Sequence, residues 1–237
     1  GVYQLNSKNN KAEKLLKSSV DQQASVMVED SQGNFYFGTW GKGVVYWDSV
    51  RQDYFPVKIP AKNSLNDENN IESMVVDKQG TVWIGTRNGF YFGKLEEAEG
   101  QVKLNVSAVK SRDGKPWLGD TKIHSLEFDG NGKLWVGTEN GLGIFDPVTL
   151  SQQMLYAKKS EPDGLNNNLV NCLFCDPNSG MWVGTYQGGV NFYSKGNNPF
   201  IDKIPAITQT DDAKIRYVKS VYQGKDGKLW IGTDYGL

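Results

Sequence analysis

Few side chains in this sequence could do chemistry, and they are scattered. His124 is the sole histidine of 237 residues, Cys172 and Cys175 are three apart, and Asp30, Asp77 and Asp129 stand at matching points of a recurring pattern. A lone histidine can serve as a general base in an eliminating or hydrolysing enzyme, but it needs a nucleophile or an orienting carboxylate, and none is marked near it. Read plainly, His124 is a solvated residue at the start of a strand. Cysteines three apart on a strand point to opposite faces, so Cys172 and Cys175 neither bridge nor share a metal. No second pair or extra histidine completes a zinc set, and two buried thiols are expected. The aspartates offer one carboxylate per copy, and Gly224 takes their place in the last copy, which fits turn capping better than calcium. No Gly-rich phosphate loop follows a strand and opens a helix. No catalytic residue, metal or cofactor is assigned on these grounds.

The bulk composition narrows the field. The 26 Lys and Arg balance 27 Asp and Glu to a formal charge of -1, which leaves no basic excess for a phosphate backbone. Nucleic acid is not expected as a partner. No apolar stretch approaches the roughly 18 residues of a membrane helix, so no membrane contact is expected within residues 1–237. The chain opens on Gly1 and ends at Leu237 in mid-pattern, and it is read as part of a longer protein.

What positions the scattered residues is a repeat. Phe35-Tyr36-Phe37-Gly38-Thr39, Val82-Trp83-Ile84-Gly85-Thr86, Leu134-Trp135-Val136-Gly137-Thr138, Met181-Trp182-Val183-Gly184-Thr185 and Leu229-Trp230-Ile231-Gly232-Thr233 are one motif, with central aromatics 47, 52, 47 and 48 residues apart. In each copy an apolar run such as Ile71–Val76 predicts a buried strand, and Asp77-Lys78-Gln79-Gly80 predicts a tight reversal. The Trp-Ile-Gly-Thr strand follows, then a turn such as Arg87-Asn88-Gly89, then a third strand, Phe90–Phe92. A variable outer strand closes each period, as at Asp53–Val57 and Gln153–Tyr156, and Pro56 suits an edge. Apart from a weak hint over Lys11–Lys17, no helical period is sustained.

This grammar predicts an all-β fold, a β-propeller with four-stranded antiparallel blades, because such a sheet buries both faces only by stacking on copies of itself. Five repeats are present, centred near residues 36, 83, 135, 182 and 230 of one segment spanning 1–237. Trp83, Trp135, Trp182 and Trp230, with Tyr36 standing in, should fill the wedges between blades. Ser73, Ser125, Cys172 and Ser220 form a small column on the first strand. Gly1-Val2-Tyr3 matches Gly89-Phe90-Tyr91, so the chain either closes a five-bladed ring or belongs to a larger one. The larger ring, of about seven blades, is the expectation taken.

Connectivity puts the segments before the first strands and the turns after Gly-Thr at one end of the blades, opposite the Asp turns. That end carries Trp40, Asn69, Asn70, Arg87, Glu139, Asn167, Asn168, Tyr186 and Tyr235, with His124 in a polar column beside Glu72, Asn171 and Lys219. Flat aromatics next to amides and charges suit a polyhydroxylated ligand such as an oligosaccharide. These ten side chains, His124 included, are the candidate ligand residues. The same residue types also serve turns and loop anchors, so the assignment rests on loop placement.

The stretches SLNDENNIESMVVDKQGTVWIGTRNGFYF and GLNNNLVNCLFCDPNSGMWVGTYQGGVNFY resemble two-component regulator propeller repeats. The Asn-rich lead, Asp turn, Trp-Ile-Gly-Thr and Gly-apolar elements recur in order over nearly the whole chain. The resemblance implies the periplasmic sensor half of a Bacteroides-type hybrid two-component system. There, paired propellers precede a β-sandwich, a membrane helix and a histidine kinase, and the ligands are commonly oligosaccharides. It implies a non-enzymatic sensor, homodimeric in its full-length form. The first copy departs, with Tyr36 for Trp and Trp40-Gly41-Lys42 in its turn, and Gln101–Asp120 is longer than its counterparts. Two other readings stay open: a propeller lyase or hydrolase using His124, and a spacer or dimerisation propeller. The Asp turns place Asp three before Gly rather than two, unlike the Asp-box of sialidase-like propellers.

Overall fold

The computed structural model describes residues 2–6, 8–15, 23–60, 67–98, 101–158, 160, 164–176, 180–194, 200–202 and 217–234. The chain divides into two units, residues 1–110 with 116–120, and residues 111–115 with 121–237. The first unit holds a hairpin, β1 (Tyr3–Asn6) and β2 (Lys11–Lys14), and two four-stranded antiparallel blades. Blade 1 is β3 (Ala24–Glu29), β4 (Phe35–Thr39), β5 (Val44–Asp48) and β6 (Asp53–Val57). Blade 2 is β7 (Ile71–Val76), β8 (Thr81–Thr86), β9 (Gly89–Ala98) and β10 (Gln101–Ala108).

In the second unit, blade 3 is β11 (Ile123–Phe128), β12 (Leu134–Thr138), β13 (Gly141–Phe145) and β14 (Gln152–Leu155). Blade 4 is β15 (Val170–Asp176), β16 (Gly180–Thr185), β17 (Gly189–Ser194) and β18 (Phe200–Asp202). The fifth repeat contributes a two-stranded sheet, β19 (Val218–Gln223) and β20 (Leu229–Thr233). These are propeller blades, and every described pairing is antiparallel between successive strands. Two boundaries differ from expectation. Residues 11–14, with their faint helical hint, pair as a strand with β1, and the long segment 101–120 supplies β10, the outer strand of blade 2 in an extended hairpin with β9, followed by a Lys110–Pro116 bridge.

Blades 2 and 3 are each tied by two side-chain locks that explain the motif. At one end Asp77 Oδ1 accepts from the backbone N–H of Gln79 and Thr81, at 2.9 and 2.8 Å, and its Oδ2 accepts from the indole of Trp83 at 3.0 Å. Asp129 repeats this with Asn131, Lys133 and Trp135. The fixed six-residue step from Asp to Trp is therefore a bond, one that also satisfies an indole donor. In blade 1 Tyr36 supplies no indole, and Asp30 Oδ2 accepts from the Asn34 side chain instead. At the other end the buried Thr of each motif donates across its turn, Thr39 to Gly43 O, Thr86 to Gly89 O, Thr138 to Gly141 O and Thr185 to Gly189 O, at 2.8 to 3.1 Å.

The motif glycine is required by the neighbouring blade. A Cβ at Gly38 would lie 2.6 Å from Ile71 Cγ2, one at Gly137 2.9 Å from Val170 Cγ1, and one at Gly184 2.6 Å from Val218 Cγ1. Ile71, Val170 and Val218 open the next blade's first strand and are fully buried. The small column lies directly across: Ser73, Ser125, Cys172 and Ser220 pair with Gly85, Gly137, Gly184 and Gly232. Blades also bond to each other, since Ser125 Oγ accepts from Leu173 N at 3.1 Å.

The aromatic column fills the wedge only in part. Tyr36, Trp83 and Trp135 are buried, and Trp135 meets Tyr193 of the next blade edge-on at 5.1 Å. Trp182 is half-buried, and its indole N–H has no hydrogen-bond partner among the described residues. Trp230 is 50% exposed, which corrects the expectation of a uniform buried column. Beside this column on the first strand, Val28, Val75, Phe174 and Tyr222 pair with the motif aromatics, and blade 3 breaks the series with Glu127 opposite Trp135. Both cysteines are free; Cys172 is buried, whereas Cys175, also expected to be buried, is only partly so, and burial pushes the Cys172 thiol up to about 12 and raises that of Cys175.

Candidate functional site

All five first strands begin with the same irregularity. The register slips by one residue between Ala24 and Val26, Ile71 and Ser73, Ile123 and Ser125, Val170 and Cys172, and Val218 and Ser220. The extra residue is Glu72, His124, Asn171 or Lys219, the polar column of the sequence, and in blade 1 Ser25, which that column did not include. A bulge re-aims the side chain it carries and loosens the local ladder. Fifteen residues on from each stands the residue after the motif Thr: Trp40, Arg87, Glu139, Tyr186 and Asp234. Each of these donates its backbone N–H to the carbonyl two residues before the bulge, at Gln23, Asn70, Lys122, Leu169 and Tyr217, with lengths of 2.9 to 3.3 Å. Five copies of one three-residue backbone frame thus hold fifteen side chains of very different chemistry.

In the first unit the frame gathers Trp40, Asn70, Glu72 and Arg87. Arg87 Nε donates to Glu72 Oε1 at 2.8 Å, and its guanidinium lies 5.1 Å from the centre of the Trp40 indole, which is 48% exposed. Trp40 and Asn70 are bridge partners between blades 1 and 2, and Asn70 Nδ2 donates to Asp67. Ser25 Oγ donates to Ile71 O at 2.7 Å, fastening the frame to the next blade. An open aromatic face flanked by a fixed cation, a carboxylate and an amide can stack on a sugar ring and bond its hydroxyls.

In the second unit Tyr186 meets Tyr217 edge-on at 4.7 Å, and Gln187 Nε2 donates to the Tyr217 hydroxyl at 2.7 Å. Lys219 and Asp234 form an ion pair at 3.3 Å, and Asn171 donates to Val218 O. Tyr217 and the Asp234 and Lys219 charges act on the Tyr186 phenol, whose pKa is raised, with Tyr217 the largest cause. Glu139 Oε1 accepts from Lys122 N at 3.2 Å, and His124 is the partly buried bulge residue of the same blade.

Two candidates serve the scaffold instead. Asn69 is buried, with its amide bonded both ways to Ile59, and its carbonyl accepts from Gly41 and Gly43. It is spent on stitching blade 2 to blade 1. Asn168 does the same for blades 3 and 4, its side chain accepting from Ala157 N and its carbonyl from Gly141 N. Asn167 caps its own turn by accepting from Leu169 N. Tyr235 lies outside the described residues. Asn69, Asn167 and Asn168 of the Asn-rich lead thus serve the scaffold, Asn70 stays in the frame, and Ser25 and Tyr217 join it at positions that the constant step of fifteen residues marks, with Gln187 beside Tyr217.

With blades and frame in view, the comparisons with known proteins agree on the fold. Residues 64–88, 118–140, 164–187 and 214–235 match the two component regulator propeller family. Each match runs from the loop before a bulge past its Gly-Thr; the first repeat, with Tyr36, lies outside the four stretches. The fold is similar to the extracellular domains of two Bacteroides thetaiotaomicron proteins described as hybrid two component systems. BT3049 is 21% identical at a TM-score of 0.66, with 94% of this chain and 28% of that one covered. BT4673 is 23% identical at 0.61, with 98% and 29% covered. Virginiamycin B lyase of Staphylococcus aureus is similar at 0.62 and 12% identity, with 90% and 64% covered. The chain thus spans less than a third of the length of these two extracellular-domain structures.

Proposed function

We propose that this chain is a ligand-recognising propeller segment of an extracytoplasmic sensor in a two-component system, non-enzymatic and periplasmic, whose frame takes an oligosaccharide. The observation that carries the reading is the frame itself, in which one rigid backbone pattern presents aromatic and hydrogen-bonding side chains that change from blade to blade. Loops and turns on a rigid scaffold are where binding residues concentrate. The family of the repeats supports the signalling role, and the likeness to extracellular sensor domains supports the location. A homodimer in the full-length sensor would carry the signal.

The test is thermal. The intact sensor domain should melt at a higher temperature with some member of a broad glycan panel, and Trp40→Ala together with Tyr186→Ala should abolish that shift while leaving the unliganded melting point near its original value. No shift with any glycan would count against the reading. A lyase-type activity has one supporting feature, the likeness to virginiamycin B lyase. His124→Ala abolishing a measured turnover would establish it.

A further inference from the structure

The charges of the frame cancel blade by blade, and this bears on the ligand class, an inference that rests on the glycan reading above. In the first unit, Glu72 is the only acid of the frame and Arg87 its only base, and they are bonded at 2.8 Å. In the second unit, blade 3 carries one base, Lys122, and one acid, Glu139, whose carboxylate accepts from the Lys122 backbone N–H, and the fifth repeat sets Lys219 against Asp234 at 3.3 Å. The polarity is reversed between repeats: the acid sits on the bulge in blade 2 and the base sits there in the fifth. The Gln23, Ser25, Trp40 and Leu169, Asn171, Tyr186 sets carry no charge. Every charged set thus holds one charge of each sign, although the backbone frame is indifferent to which residues it carries.

An anionic ligand needs cations whose donors and potential are uncommitted, as in the Arg clusters that bind carboxylate and phosphate. A guanidinium already bonded to a carboxylate answers an incoming anion with a like charge beside it, and like-charge juxtaposition is how sites reject wrong partners. We infer that the frame selects neutral polyhydroxylated ligands and excludes polyanionic ones such as uronate-bearing glycans. Within the first unit Trp40, and within the second Tyr186 and Tyr217, supply aromatic faces for stacking, and in each the paired charges supply directional hydrogen bonds at no net potential. Lys42, exposed in the turn beyond Trp40, lies outside the frame.

The experiment is calorimetric titration of the full sensor chain with neutral cello-, manno- and xylo-oligosaccharides and with oligogalacturonides of matched length. A neutral series should bind, with the uronates at least about tenfold weaker. Glu72→Gln, which unpairs Arg87, and Asp234→Asn, which unpairs Lys219, should each raise uronate affinity relative to neutral affinity severalfold, and more steeply at low salt. Uronate binding by the wild type as tight as or tighter than neutral binding would overturn the charge inference and leave the glycan reading standing. So would two folded variants, judged by their melting, that gain nothing toward uronates. Binding of neither series would overturn the glycan reading and this inference with it.

Discussion

The wedge between blades and the frame at their Gly-Thr ends draw on the same five periods in opposite ways. The wedge largely repeats its side chains: Gly under a β-branched residue at Gly38, Gly137 and Gly184, Trp bonded to Asp in blades 2 and 3, and a small residue opposite the Gly. The frame repeats only its backbone bonds and lets every side chain vary. Interiors are packed like crystals, so a changed volume there is felt at once. At a half-exposed bulge the solvent absorbs the difference. Constancy in the wedge keeps blades alike enough to stack, and variability in the frame is then free for recognition. The telling exception is Glu127, a carboxyl placed where the other repeats put Val28, Val75, Phe174 and Tyr222, and pushed up to about 7 by burial although Cys175 N donates to it.

The contrast can be broken most sharply at Trp135. Trp135→Ala should destabilise the second unit by roughly 3 to 5 kcal/mol in denaturant titration, whereas Trp230→Ala, at a half-exposed site, should cost far less; equal losses would remove the distinction between a filled and an open wedge. Glu127 comes next. Its folded pKa stands above the ordinary value of 4.5, so the folded state holds a proton that the unfolded chain releases, and the contribution of Glu127 to stability is fully present below about 4.5 and is lost as pH rises to about 7. The loss above pH 7 should be roughly 3 kcal/mol, and Glu127→Gln should flatten the profile. A pH profile unchanged by that substitution would show that another group governs it.

A smaller effect is expected from Gly184→Ala, whose methyl would press on Cys172 Sγ and Val218. Overpacking of that kind costs about 1 to 3 kcal/mol, read as a lowered melting temperature. Smallest of all, Glu72→Gln in the frame should change stability by about 0 to 1 kcal/mol, the range of exposed ion pairs. Should it cost as much as the glycine substitution, the frame would prove structural and the proposed division of labour would fail.

The repeat, its strand order, the Asp turns and the unbridged thiols were all legible in the sequence, because they depend on local rules: turn chemistry, strand alternation and a period of about 47 residues. The candidate site was legible only in outline. Trp40, Arg87 and Tyr186 were placed by loop position, but Asn69 and Asn168 have the same composition as binding residues and differ only in whether a neighbouring blade has taken their amides. The bulge, likewise, is invisible as a residue type, since Ser25, Glu72, His124, Asn171 and Lys219 share nothing but position.

What the sequence by itself determined is the blade, whose strands, reversals and Gly-Thr lock follow from residues within one period of one another. What only the tertiary structure decided is which polar groups remain for a ligand. Hydrogen bonds such as Asn69 to Ile59 and ion pairs such as Arg87 to Glu72 are made between elements that meet only after the sheets form and stack. A side chain's availability is what is left once those partners have been served.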